Sequence, residues 1–390
     1  MSLDSPYRGG PAFATPSKAH EERLKFSGDN SFHREVRRRV EAEFKRCGKH
    51  QRDSAQMYLK TAIILTTFAL SYVALVFFAV NGWQGLALGL VLGTATALIG
   101  FNVMHDGGHQ AYSRHSWINR LSALALDMVG GSSYIWQWKH ARFHHTWVNV
   151  AGHDSDIDLG VLGRLSPAQP RRPWHRWQHI YLWVLYGVTA IRWHLYGDFR
   201  DLITGTIGER PFTRPRGWDL AALVSGKLVF FTLAFGLPLL IHPIGTVLLF
   251  YALVSAIAGV LLALVFQMAH VVEEAAFPQP DASGRHMDAP WAIHQMQTTV
   301  NFAPDNRVLS WLIGGLNFQV EHHLFPRISH VHYPMVARVV EATCREHGVP
   351  YLAHRTFAAG IASHYRLLRR LGAPTPVSMG AQTASMLPLG

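Results

Sequence analysis

The sequence predicts an all-α integral membrane protein, with four transmembrane helices arranged as two hairpins and a helical cap on the cytoplasmic side. Three observations lead there. Four apolar runs have about the length that crosses a bilayer, each pair is joined by a very short turn, and Lys and Arg are crowded away from those turns. Composition agrees: 49% hydrophobic and 12% aromatic against 16% charged is more apolar than soluble domains of this length require. With such spans, a net charge of +11 points to an anionic lipid surface as partner and away from nucleic acid.

Residues 1–30 are polar and lack a continuous apolar core, so they read as disordered and without a cleaved secretory signal. The segment 31–58 reads as a cytoplasmic amphipathic helix. In it Phe32, Val36, Val40 and Phe44 recur every four residues within a basic stretch, the pattern of a helix lying on the membrane surface. A membrane domain follows over 59–372. Its first hairpin has spans 59–80 and 83–104, parted by Asn81 and Gly82; its second has spans 220–241 and 244–270, parted by His242 and Pro243. Neither turn carries Lys or Arg, which places both termini and the central loop in the cytoplasm. Lys227 sits near the cytoplasmic end of the third span, where it can snorkel. The interrupted apolar stretches 119–138 and 177–199 read as interfacial helices, an extra pair of crossings being the alternative. Helical patterns begin near Pro334 and Thr356, and 373–390 reads as a mobile tail. Cys47 and Cys344 fall in cytoplasmic segments and should be reduced thiols.

Histidine placement carries the chemistry. Of 24 histidines, most of the informative ones fall in three short boxes: His105 and His109 in HDGGH, His140, His144 and His145 in HARFHH, and His322 and His323 with Gln319 in QVEHH. A spacing of four puts two side chains on one helical face. His270 ends the fourth span, and the predicted topology brings all four groups to one depth on one side. Neutral imidazole binds divalent iron, copper or zinc, and this many donors exceeds what one tetrahedral ion uses, so two metal ions fit better. Without metal, imidazoles packed so densely would repel one another on protonation. A ligand histidine needs its second ring nitrogen held, a role open to Asp106, Asp156, Asp158 and Glu321. His242 reads as a structural turn residue. His115, His153, His294, His330 and His332 read as surface or supporting residues.

HDGGH, HARFHHTWVN and FQVEHHLFP, in this order and in this relation to the hairpins, resemble the membrane fatty acid desaturases over roughly 26–371. QVEHHLFP and GHDSDID are similar to the front-end acyl desaturases and to bacterial linoleoyl-CoA desaturases. The resemblance implies a centre of two iron ions, with His105, His109, His140, His144, His145, His322 and His323 as ligands and His270 added from the end of the fourth span. Gln319 departs from the all-histidine form of the third box, leaving open whether it binds iron directly or through water. The reaction implied is O2-dependent insertion of a cis double bond into a fatty acyl chain linked to coenzyme A, a carrier protein or a lipid. No HPGG haem motif of a fused cytochrome b5 domain is present, HPIG at 242–245 being a turn, so a separate ferredoxin or cytochrome b5 type electron donor is expected. Trp136, Trp138, Phe143, Trp147 and Phe318 are candidates to line an acyl tunnel, or ordinary packing residues. The rival readings are a hydroxylase on the same scaffold and a non-redox metal-binding transporter or scaffold. Transport would call for polar residues through the spans, which have almost none.

Overall fold

In hydrocarbon every backbone N–H and C=O must be satisfied within its own segment, so apolar runs of this length become helices. The computed structural model describes residues 24–374, and the expected disordered start up to 23 and the tail from 375 lie outside the described residues. Four helices among the described residues are long and apolar enough to cross a membrane: α2 (Ala55–Phe78), α3 (Gly82–Gly108), α5 (Trp218–Leu239) and α6 (Ile244–His270). Around them lie α1 (Ser31–Arg46), α4 (Gln178–Arg192), α7 (Trp291–Thr298), α8 (Gln319–Leu324), α9 (Tyr333–His347) and α10 (Phe357–Gly372). The only strands among the described residues form two-stranded pairs, such as Lys25–Phe26 with His286–Met287.

The hairpins close as the sequence dictates. The Asn81 side chain accepts from Gln84 N at 3.0 Å and caps α3, while Pro243 precedes α6. His242 Nε2 donates to the Val76 carbonyl at 2.7 Å, which fastens the second turn to the end of α2 and puts both turns at one end of the bundle. Small residues allow the spans to approach: Cβ atoms on Gly85, Gly89 and Gly93 of α3 would meet Phe250, Leu253 and Ile257 of α6 at 2.5–2.9 Å.

Three expectations need correction. The apolar stripe of α1 does not face lipid. Phe32, Val36, Val40 and Phe44 are buried in one core with Val336, Val340 and Cys344 of α9 and with Val320 and Leu324 of α8. Burying each such side chain contributes about 1.5–3 kcal/mol, so the stripe serves cap assembly and only the polar face of α1 is left outward. Lys227 does not snorkel: it is 6% exposed and its Nζ donates to Asp198 Oδ2 at 2.7 Å and to the Gly130 carbonyl at 2.6 Å. The pair ties α5 to the stretch before the second box and to the helix Asp198–Thr204. The segment 119–138 is not one helix but short pieces, Ser116–Ala123, Ala125–Met128 and Ser133–Trp136, too short to cross a bilayer.

The stretch 177–199 forms α4, which continues through Trp193–Gly197 into Asp198–Thr204 and packs against α6 so closely that a Cβ on Gly259 would lie 2.6 Å from the Tyr186 carbonyl oxygen. The patterns near Pro334 and Thr356 are α9, with Pro334 in its first turn, and α10, capped by Thr356 Oγ1 on Ala359 N at 3.1 Å. Cys47 and Cys344 are both free thiols.

Because the turns share one end, cysteines introduced at Asn81 and Gly245 should react with a membrane-impermeant maleimide from the same face, and one at Lys49 only from the other. Labelling of Asn81→Cys and Lys49→Cys from a single side would contradict this arrangement.

Candidate metal centre

The first box continues α3 without a break. The segment Ile99–Met104 has the wider π-helical turn and is followed by His105–Gly108, leaving the His105 and His109 rings 4.7 Å apart. The two glycines of HDGGH are steric necessities. A Cβ on Gly107 would stand 2.7 Å from Ala123 N, and one on Gly108 would stand 2.3 Å from the Trp136 ring. The second box also lies in a π-helical stretch, Gln137–His144, whose i→i+5 register aligns residues five apart. His140 Nε2 and His145 Nε2 therefore face one another at 3.3 Å, while the His140 and His144 rings stack at 5.0 Å. The third box is the fully buried α8, and His270 is the last residue of α6.

These segments bring eight imidazoles together. One set comprises His105, His109, His140 and His322, a second His144, His270 and His323, and His145 groups with His322 and His323 between them. Within each set the donor atoms lie within 4.8 Å of one another. Both ring nitrogens of His109, Nε2 of His144, His322 and His323, and Nδ1 of His145 are buried without a hydrogen-bond partner. Leaving a buried polar atom unpaired costs about 1–3 kcal/mol, so an orphan group of this size fits metal ligation and little else. Burial, then the neighbouring imidazoles, holds His109, His145, His322 and His323 well below the usual histidine range, so their lone pairs are free of protons at neutral pH. His144 moves the other way: burial disfavours its charge, but the charge and hydrogen bond of Asp154 outweigh burial.

The groups that orient these rings are mostly not the expected ones. His144 Nδ1 donates to Asp154 Oδ2 at 3.0 Å, His323 Nδ1 to Gln295 Oε1 at 2.9 Å, His322 Nδ1 to Tyr333 Oη at 3.1 Å and His270 Nδ1 to the Thr298 carbonyl at 3.2 Å. Each bond turns Nε2 inward. Asp154 also accepts from Asn149 N, and Asn149 Nδ2 donates to the His270 carbonyl at 2.8 Å, joining the second box to the end of α6. Of the four expected acids only Asp156 faces a box histidine, 3.6 Å from His140 Nδ1.

Asp106 instead accepts from His330 Nδ1 at 3.0 Å, and His330 Nε2 in turn accepts from the buried Lys60 ammonium at 2.9 Å. Glu321 accepts from Tyr351 and Asn301, burial pushing its carboxyl up to about 7. Asp158 accepts from Gly160 N in its own loop. Asp106 and Glu321 follow or precede a box histidine directly, and adjacent helical residues point to different faces. Asp154 could have been found in GHDSDID, where it stands two residues before Asp156; Gln295, Tyr333 and Thr298 carry no local signal. Of the remaining histidines, His294 packs on Phe26, His332 on Phe44 and His153 beside Trp147, and His115 is exposed.

A cavity of about 200 Å³ reaches the centre, with His105, His140, His322, Gln319, Trp136 and Phe266 in its wall. At one end it adjoins a basin of about 500 Å³ with a mixed wall, whose charged residues are Lys139, Arg192 and Arg200 together with Asp158, Asp198, Asp201 and Glu209. At the other it adjoins an apolar space of about 640 Å³ between the spans, the two sharing Thr96, Val129, His194 and Ala258. Trp136, stacked at 4.7 Å on His140, is the one expected tunnel aromatic in this wall. The others are packed elsewhere: Trp138 against Phe143, Phe212 and Arg142, Phe143 against Arg210, Trp147 on Phe26, and Phe318 in the core of α1 and α9. The second box turns its histidines inward, so Phe143 between them faces away.

The pattern described as fatty acid desaturase matches residues 81–355. An sn-1 linoleoyl-lipid 6-desaturase of Arthrospira platensis is 37% identical over 356 residues, 90% of this chain and 95% of the relative. One of Synechocystis sp. is 39% identical over 353 residues, 90% of this chain and 98% of the relative. An acyl-lipid (8-3)-desaturase of Physcomitrium patens is 36% identical over 348 residues, 88% of this chain and 72% of the relative.

Replacing Asp154 by Ala should weaken metal retention about 10–100-fold, and Asp154→Asn less, because an amide oxygen can still accept from His144. Metal analysis of the purified variants checks this, and wild-type metal content in Asp154→Ala would remove the orienting role. Gly108→Ala should cost about 1–3 kcal/mol through its clash with Trp136 and lower both Tm and metal content.

Proposed function

The chain belongs to the fatty acid desaturase family, and on that premise we propose that its eight converging imidazoles hold two iron ions at the cytoplasmic face of the membrane. The protein is an integral membrane oxidoreductase that desaturates fatty acyl chains. The observation that carries the metal assignment is the pair of buried donor sets joined through His145, with inward-facing nitrogens left unpaired. Neutral nitrogen donors suit divalent iron, and two ions share the available ligands naturally. His105, His109, His140 and His322 would hold one and His144, His270 and His323 the other, with His145 between. Gln319 stands in the same cavity wall as His105 and His322, where its amide is available to the metal.

Removing one hydrogen from each of two adjacent methylenes, with dioxygen reduced to two waters, consumes two electrons and two protons from outside. Iron and dioxygen supply the oxidising power, which acid and base groups lack. The chain's own residues supply placement. The cavity seats the reacting carbons against His105, His140, His322 and Trp136, and the rest of the acyl chain runs toward Thr96 and Val129. The basin, whose wall sets Lys139, Arg192 and Arg200 among Asp158, Asp198, Asp201 and Glu209, takes the end that bears the carrier. The relatives' names describe acyl-lipid substrates, and two describe 6-desaturation of a linoleoyl lipid. We therefore assign a lipid-linked acyl chain and a cis double bond toward its carboxyl end. The turns' lack of Lys and Arg favours a cytoplasmic site, and electrons come from a separate ferredoxin or cytochrome b5 type donor.

Fatty acid profiling by mass spectrometry of a host expressing the chain should reveal acyl chains lacking two hydrogens. Gain of one oxygen instead would identify a hydroxylase. Metal analysis should find two irons per chain, and His145→Ala and His322→Ala should each lose product and iron while still inserting in the membrane. Full activity in either variant would defeat the ligand assignment.

A further inference from the structure

Two electrons must reach a buried centre in each turnover, and the following inference rests on that reading of the site. His145 stands between the two donor sets, and its carbonyl accepts from the indole Nε1 of Trp291 at 3.4 Å. Trp291 opens α7 and is half-buried. Its other side meets the His33 ring of α1 edge-on at 5.1 Å, and His33 lies 6.4 Å from Phe325, which directly follows α8 and the third box. The first turns of α1 thus cover the place where a half-exposed aromatic reaches the second box beside the end of the third.

The apolar stripe of α1 is consumed by α9, so its outward face is not an insertion surface for lipid. That face is basic. The helix carries six Arg or Lys against three Glu. Arg34, Arg37 and Arg38 are 68–69% exposed, each paired with an acid (Asp29, Glu41 and Glu35) at 2.7–3.0 Å, so the face keeps a modest positive excess and its exposed guanidinium edges. A soluble partner of opposite charge is steered to such a surface before it makes close contact.

We propose that Trp291 and the N-terminal half of α1 form the docking surface for an acidic one-electron carrier protein, with Trp291 the conduit from the carrier to the metal centre. Two successive dockings deliver the two electrons of one turnover. Each carrier is oxidised by one electron, the two protons come from solvent, and no bond is made or broken at Trp291.

The test uses iron-loaded enzyme in nanodiscs with bound acyl-lipid and reduced plant-type ferredoxin, or cytochrome b5 if ferredoxin does not reduce the wild type. The double variant Arg34→Glu, Arg37→Glu should raise the KM for the carrier about tenfold and flatten its dependence on salt, with kcat at saturating carrier retained. Dithionite, which needs no docking, should reduce this variant at the wild-type rate. Trp291→Leu should instead lower the saturating rate of iron reduction with little change in KM, and Trp291→Phe should recover part of it.

Wild-type carrier kinetics in the Arg variant, or a change confined to its binding of anionic vesicles, would overturn the docking surface. Failure of both acidic carriers to reduce the wild type would overturn the partner's class. If dithionite-reduced wild type given dioxygen forms no double bond, the failure belongs to the desaturase chemistry itself and leaves the docking kinetics to be judged separately by iron reduction. Should Trp291→Leu lose iron, the Arg variant still decides the question.

Discussion

An imidazole nitrogen buried without a partner costs about 1–3 kcal/mol, and this protein gathers several of them at one point. Bound metal offsets that cost, so the histidine cluster is the constraint to which the rest of the architecture answers. The spans deliver His105 and His270 to one depth, the π-helical turn of the second box folds His140 onto His145, and α8 brings His322 and His323 in from the far end of the sequence. No single segment could hold the cluster, because each contributes rings that would repel one another if they became charged together.

Rigidity comes from the layer behind the histidines. Asp154, Gln295, Tyr333 and the Thr298 carbonyl fix ring rotation, while the Asn149 side chain binds the end of α6 to the loop after the second box. Glu321 serves the same end indirectly. Its bonds to Asn301 and Tyr351 anchor α8 from its outer side, and Asn301 Oδ1 also accepts from Val320 N. The buried Lys227–Asp198 pair plays a comparable part, joining a span to the wall of the basin beside the cavity.

Much of this was legible in the sequence because it depends on period and length. Apolar runs near bilayer length, two very short turns and four-residue histidine spacings are local patterns, and the four long apolar helices follow from the first of them. What was not legible depends on which tertiary partner wins. The stripe of α1 looks the same whether lipid or α9 covers it, and Lys227 looks like a snorkelling residue until Asp198 is found beside it. The aromatics of the second box could not be divided between cavity and core without knowing which way a π-helical turn faces. Orienting groups such as Gln295 and Tyr333 are remote from the rings that they hold and leave no trace in spacing.

The placement of the third box has a consequence for biogenesis. His322 and His323 follow all four of the spans found among the described residues, yet each belongs to a donor set with residues from the earlier boxes. During synthesis, therefore, all four helices enter the bilayer before either set is complete. Metal capture is then a closing act performed on an already inserted chain, and a cell short of the metal would accumulate an integrated but unfinished protein.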